Sequence, residues 1–128
     1  MKFVLPLTLL ATMSTGALAQ DIAAGEAVFN KCKACHAIGD GATNRVGPEL
    51  NGVVDRAAGS IERYNYSAAM KASGLIWDEA TLTEYLRAPK ALVPGTKMTF
   101  AGLKTDEDIA NLIAYLKQFA ADGSIAAQ

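Results

Sequence analysis

Apolar residues recur at helical spacing in four places along the chain, and no stretch alternates as a strand would. From Asp21, the positions Ile22, Ala23, Val28, Phe29 and Cys32 fall on one helical face, with Asp21 placed to cap the first turn. Gly25 lies inside this helix, where it costs roughly 1 kcal/mol relative to alanine, so its presence points to another backbone approaching closely. A short second helix over residues 66–73 has Ser67 as cap and Gly74 as stop. Asp78 caps a third, which runs to Arg87 and ends at Pro89, with Leu82, Tyr85 and Leu86 on its inner face. Thr105 opens the last, with acidic residues in the first turn where the helix dipole favours them. Ile109, Leu112, Ile113 and Leu116 form its stripe, with Tyr115 and Phe119 beside it.

The pattern predicts an all-α protein of four short helices and long connections. Residues 39–60 are rich in Gly, Asn, Pro and Asp and lack periodicity. A loop of that length in a compact domain needs a function, and covering a prosthetic group is one. The core is thin for so small a domain, which suits a buried group as its centrepiece.

The 128 residues allow one domain, and the start of the chain reads as a leader rather than as part of it. Met1 and Lys2 form a short positive region, residues 3–13 an apolar one, and Ala17-Leu18-Ala19 a small-x-small cleavage site. The expected organisation is a cleaved signal peptide over 1–19 and a single domain over 20–128, exported to a bacterial periplasm. Pro6, Thr8 and Thr12 interrupt the apolar stretch, which is too short for a comfortable membrane span.

The whole chain carries 12 Lys plus Arg against 13 Asp plus Glu. Loss of Lys2 with the leader leaves a formal charge of −2, and nothing resembles a nucleic-acid binder. Acidic residues cluster at Asp78-Glu79 and Asp106-Glu107-Asp108. Lys31, Lys33, Arg45, Lys90, Lys97 and Lys104 instead sit near the segments that carry the candidate chemistry.

That chemistry begins at Cys32-Lys33-Ala34-Cys35-His36, a haem attachment signature. On a helix Cys32 and Cys35 share a face, so both thiols can form thioethers to one porphyrin, and His36 can offer a ring nitrogen to its iron. It is the only histidine in the chain. A bare pair of cysteines at this spacing could also be a disulfide, a redox dithiol or half of a zinc site. Zinc wants four donors, and two cysteines and one histidine fall short. A thioredoxin-type pair follows a strand, whereas the residues before Cys32 read as helix.

An iron held by one histidine has either an open position or a second ligand, and this separates oxygen chemistry from electron carriage. Beyond the leader the chain has two methionines, Met70 and Met98. Met70 falls in the short second helix and reads as a core side chain. Met98 falls in an irregular stretch after Val93-Pro94-Gly95, where a loop could aim its thioether at a fixed point. Spacing alone favours Met98 without deciding it.

The stretch Pro94-Gly95-Thr96-Lys97-Met98-Thr99-Phe100-Ala101-Gly102 resembles the class I c-type cytochromes. So do the cysteine-histidine motif, Gly47-Pro48-Glu49-Leu50 and Asn111-Leu112-Ile113-Ala114-Tyr115-Leu116. The resemblance is strongest to bacterial cytochrome c2 and its mitochondrial relatives, and it covers essentially all of the chain beyond the leader. It implies the cytochrome c fold, one covalently bound haem c, and Met98 as the axial sulfur ligand beside His36. It further implies that the Pro48 carbonyl orients the His36 ring and that Tyr85 hydrogen-bonds the Met98 sulfur. Arg56, Tyr66, Trp77 and Thr96 match positions around the haem carboxylates. Read without the family, Trp77 is core bulk and Arg56 a solvated charge. Gly25 and Phe29 match the place where the first helix crosses the last near Tyr115. Met70 departs from the pattern, standing where mitochondrial relatives carry an asparagine that anchors a buried water.

With both axial positions filled, the expected role is one-electron carriage rather than catalysis. The resemblance implies a monomer that takes electrons from a quinol-oxidising bc1-type complex and passes them to a terminal oxidase or photosynthetic reaction centre. The lysines and arginine near the haem edge would steer docking. Two rivals remain, a peroxidase-like enzyme with a displaceable Met98 and a subunit serving one dedicated complex.

Overall fold

The computed structural model describes Met1 and residues 21–126. The expected leader over 1–19, beyond Met1, and its cleavage before Gln20 lie outside the described residues.

Five helices follow in order: α1 (Ile22–Phe29), α2 (Ala68–Ala72), α3 (Glu79–Arg87), α4 (Pro89–Leu92) and α5 (Asp106–Lys117). Each expected cap forms. Asp21 accepts from the Ala24 amide, Ser67 from Met70, Asp78 from Thr81 and Thr105 from Asp108. Each bond satisfies one of the orphan N–H groups that a helix start leaves exposed. The sequence pattern predicts four helices, and the structure adds α4. Pro89 does end α3, but it also starts the next helix at its first position, where the missing N–H is no loss and the fixed φ is already helical.

α1 packs across α5. The Asp21 N–H at its start donates to Asn111 Oδ1 at 2.9 Å, and the Phe29 and Tyr115 rings meet with centroids 5.4 Å apart. α3 packs on both α4 and α5. Ile109, Leu112, Ile113 and Leu116 are each at most 4% exposed, so the predicted stripe of α5 is the spine of the core. Among the described residues, β pairing is confined to two isolated bridges, Ala57 with Ile76 and Phe119 with Ile125. No helix among them is long and apolar enough to cross a membrane.

The irregular stretch from 39 to 60 is fastened by a few long-range bonds. Asn51, itself buried, accepts from the Gly39 amide at 2.7 Å and donates back to the Gly39 carbonyl at 2.9 Å. The Gly52 amide reaches the Phe119 carbonyl at 3.1 Å, just beyond α5. The loop is thereby held over the face that α1, α3 and α5 leave open.

Candidate functional site

α1 ends at Phe29, earlier than the apolar pattern implies, and the cysteine motif occupies tight turns rather than the helix itself. Bonds from Lys31 N to Val28 O at 3.0 Å and from Cys32 N to Phe29 O at 2.8 Å tighten the exit. The Cys32 carbonyl then accepts from both Cys35 N (3.1 Å) and His36 N (2.9 Å). This coil keeps the expected outcome, since Cys32, Cys35 and His36 all line one cavity. Both cysteines are unbridged, and burial pushes the Cys32 thiol up, with the neighbouring Cys35 adding to the effect and Lys31 opposing it.

The His36 ring is fixed from behind. Its Nδ1 lies 2.7 Å from the Pro48 carbonyl oxygen, an acceptor only, so the neutral ring carries its proton there and presents the Nε2 lone pair. Burial holds the imidazole below its ordinary pKa, the Pro48 bond opposes this, and the Arg56 charge adds to it. Gly47 makes room: a Cβ there would lie 2.7 Å from His36 Nδ1 and 2.8 Å from Nε2. The Gly47 amide also donates to the Cys35 carbonyl at 2.8 Å, tying this loop to the cysteine turn.

The cavity has a volume of about 350 Å³ and is walled mainly by apolar side chains, with Phe29, Leu82, Leu86, Leu112 and Leu116 from α1, α3 and α5 and the larger share from the connecting segments. Pro48, Arg56, Tyr66 and Trp77 line it together with the cysteine turn. Tyr85, Thr96 and Met98 complete the set expected around the group, so every one of those residues reaches the same space. Trp77 is buried and its ring packs on Tyr85 at 4.7 Å. The Tyr66 hydroxyl accepts from the Ile61 amide at 3.1 Å. The Tyr85 hydroxyl meets Thr96 Oγ1 at 2.8 Å, a different bond from the one the resemblance implies to the Met98 sulfur.

Arg56 is not the solvated charge that a bare sequence reading allows. Its Nη1 donates to the Glu49 and Asn51 carbonyls at 3.2 and 3.0 Å, and the Glu49 carboxylate stands 4.0 Å away. Burial lowers its pKa, against the pull of Tyr66 and Glu49. Its Nε is buried with no hydrogen-bond partner among the described residues. An orphaned cationic donor on the wall of an apolar cavity calls for an acidic acceptor. Haem meets that description, with an apolar ring for the walls, carboxylates for Arg56, and two vinyl groups and an iron for the cysteine-histidine turn. The residues present fit the group.

Sequence reasoning missed Tyr64, which lines the cavity and donates from its hydroxyl to the Val46 carbonyl at 2.7 Å while its ring stands edge-on to Tyr66. The alternation of two tyrosines at 64 and 66 was the available signal. Among the docking candidates, Lys31 and Lys97 line the cavity mouth. Lys33 and Arg45 are exposed together beside the cysteine turn, with Arg45 Nη1 3.4 Å from the Lys33 carbonyl. Lys90 and Lys104 are exposed but are not part of the lining.

The family model for cytochrome c matches residues 22–120. The chain is 54% identical over 123 residues to cytochrome c2 of Blastochloris viridis, covering 96% of this chain and 97% of that one. It is 60% identical over 106 residues to cytochrome c2 of Rhodoblastus acidophilus, covering 83% and 99%. Among solved structures, cytochrome c2 from Rhodospirillum centenum superposes with a TM-score of 0.75 at 41% identity, over 78% of this chain and 98% of that one. The cavity, the cysteine turn and these relationships agree: the chain belongs to the cytochrome c family as a c2-like electron carrier whose cofactor is one covalently bound haem c.

Proposed function

We propose that His36 and Met98 are the two axial ligands of the haem iron, and that the protein shuttles single electrons between membrane redox complexes. The donor is a quinol-oxidising bc1-type complex and the acceptor a terminal oxidase or a photosynthetic reaction centre. The protein works in the periplasm, as a monomer, after removal of residues 1–19. The observation that carries this reading is the His36–Pro48 bond of 2.7 Å, which leaves Nε2 as a free lone pair on the wall of the cavity that Met98 also lines.

Haem c, when bound, supplies one-electron exchange at its iron. The protein's residues do the rest. Cys32 and Cys35 would hold the group by thioethers, and Pro48 holds the imidazole in one tautomer and orientation. Met98 would supply the second ligand to the iron and so keep substrates from the metal. Arg56 supports the carboxylates with its unpaired Nε and a charge that Glu49 only partly balances. Leu82, Leu86, Leu112 and Leu116 keep water out, and their apolar surroundings disfavour the added charge of the oxidised state, which raises the potential. Lys31 and Lys97 at the mouth, with Lys33 and Arg45 beside it, draw acidic partner surfaces toward the exposed edge of the group.

A redox-poised visible and near-infrared spectrum of the purified holoprotein tests the reading. The expected result is a sulfur-to-iron charge-transfer band in the ferric form that vanishes in Met98→Ala. A ferric protein that lacks the band and binds small exogenous ligands readily would overturn it.

A further inference from the structure

Glu49 is a carboxylate that its own loop holds in place. Its backbone N–H donates to Asn44 Oδ1 at 2.9 Å, and its Oε2 accepts from the Asn51 N–H at 2.6 Å. Its carbonyl accepts from Arg56 Nη1 at 3.2 Å, and its Oε1 stands 4.0 Å from the same nitrogen. The side chain is only 17% exposed. Asn51, to which it bonds, is buried and clasped to Gly39. A flexible surface acid is averaged over many positions and screened by salt, whereas this one keeps its place and is screened less.

Arg56 lines the haem cavity and Glu49 does not. Glu49 lies instead along an outer groove shared with Asn44, Glu62 and Arg63, the last two of them exposed. Arg56 therefore touches both the cavity and Glu49, and among the described residues no other acid stands within ion-pair distance of it. Loss of one electron leaves the haem with one more positive charge. A fixed negative charge nearby favours that state, and one that offsets a neighbouring cation does so by removing an opposing field.

We propose that Glu49 tunes the driving force of electron transfer: its held carboxylate offsets the Arg56 charge at the cavity wall, favours the ferric state and lowers the midpoint potential. Electrons are thereby released more readily to the acceptor and taken less readily from the donor. The inference rests on Arg56 meeting the haem carboxylates.

The test is a spectroelectrochemical titration of the holoprotein for the parent, Glu49→Gln, Glu49→Asp and Glu62→Gln. Glutamine keeps the size and an acceptor for the Asn51 N–H but removes the charge. The ferrous-to-ferric ratio at a fixed applied potential should therefore rise about threefold, a shift of about 30 mV at 59 mV per tenfold for one electron. Aspartate keeps the charge and should stay within about 1.5-fold of the parent. Glu62→Gln removes an equal but exposed charge and should also move the ratio by less than about 1.5-fold at ordinary salt. If Glu49→Gln yields no holoprotein, Glu49→Asn is compared with Glu49→Asp, alike in size, and must lie about threefold above it. A ratio unchanged or lowered in Glu49→Gln, aspartate behaving like glutamine, or an equal shift in Glu62→Gln would each overturn the proposal. Arg56→Gln should move the ratio in the opposite direction; if it matches the parent, the placing of the haem carboxylates against Arg56 is overturned instead, so the two failures are distinguishable.

Discussion

Gly25 of α1 lies so close to Asn111 of α5 that a methyl group at 25 would overlap the Asn111 carbonyl and come within 2.9 Å of Tyr115 Cβ. In an exposed helix, glycine to alanine gains about 1 kcal/mol of propensity. Here the clash is with backbone, which cannot step aside as a side-chain tip can, and overpacking of a close-packed site costs about 1–3 kcal/mol or more. Gly25→Ala is therefore expected to destabilise by about 2 kcal/mol net, read as a lower denaturant midpoint. A stabilised variant would mean that α1 and α5 do not cross here.

Asp78 gives the fold an acid-sensitive cap. Its carboxylate is held below the ordinary value of 3.8 first by the Thr81 backbone N–H and then by the Thr81 side chain. A lowered folded pKa means that the unfolded chain binds the proton more readily, so this contribution is complete above pH 3.8 and disappears as pH falls through the folded value. Asp78→Asn should flatten the stability curve in that window relative to the parent, measured by thermal unfolding between about pH 2 and 5. Parallel curves would refute the assignment.

Met70 contributes an apolar side chain to the cavity that Tyr85 and Thr96 also line, where an asparagine would place an amide. Met70→Asn should lower the midpoint potential by tens of millivolts, since polar surroundings favour the oxidised charge. It should also cost about 1–3 kcal/mol of stability if the amide is left without partners. A spectroelectrochemical titration with no shift, together with an unchanged unfolding midpoint, would remove any special role for Met70.

Lys31 stands at the cavity mouth and is exposed. Lys31→Glu should slow association with an acidic redox partner about tenfold at low salt, with the difference fading as screening shortens to about 3 Å at 1 M. Stopped-flow rates for the pair that are equal at low salt would exclude this face from docking.

Local chemistry wrote much of this fold openly. The caps at Asp21, Ser67, Asp78 and Thr105 need only a side-chain oxygen three residues from an amide, and all four form where the pattern places them. The cavity set was also legible, because Arg56, Trp77, Tyr85 and Met98, unrelated in spacing, converge as the family resemblance implies. What stayed hidden has a common cause, a local signal that serves two structures equally well. Proline at 89 announces a stop and conceals a start; the turns at 30–35 look helical in their apolar pattern but close through i+3 bonds. The Asn51–Gly39 clasp and the Tyr85–Thr96 bond join residues 12 and 11 apart across irregular chain, where no periodicity announces a partner.

The bond between Asp21 and Asn111 spans 90 positions of sequence. A ring closed that late delays the wall that α5 provides until nearly all of the polypeptide has emerged, and loop-closure entropy opposes any earlier docking. Until that ring closes Cys32 and Cys35 lie on an open chain, and the cavity they line gains its last wall only when the end of the polypeptide folds back onto its beginning.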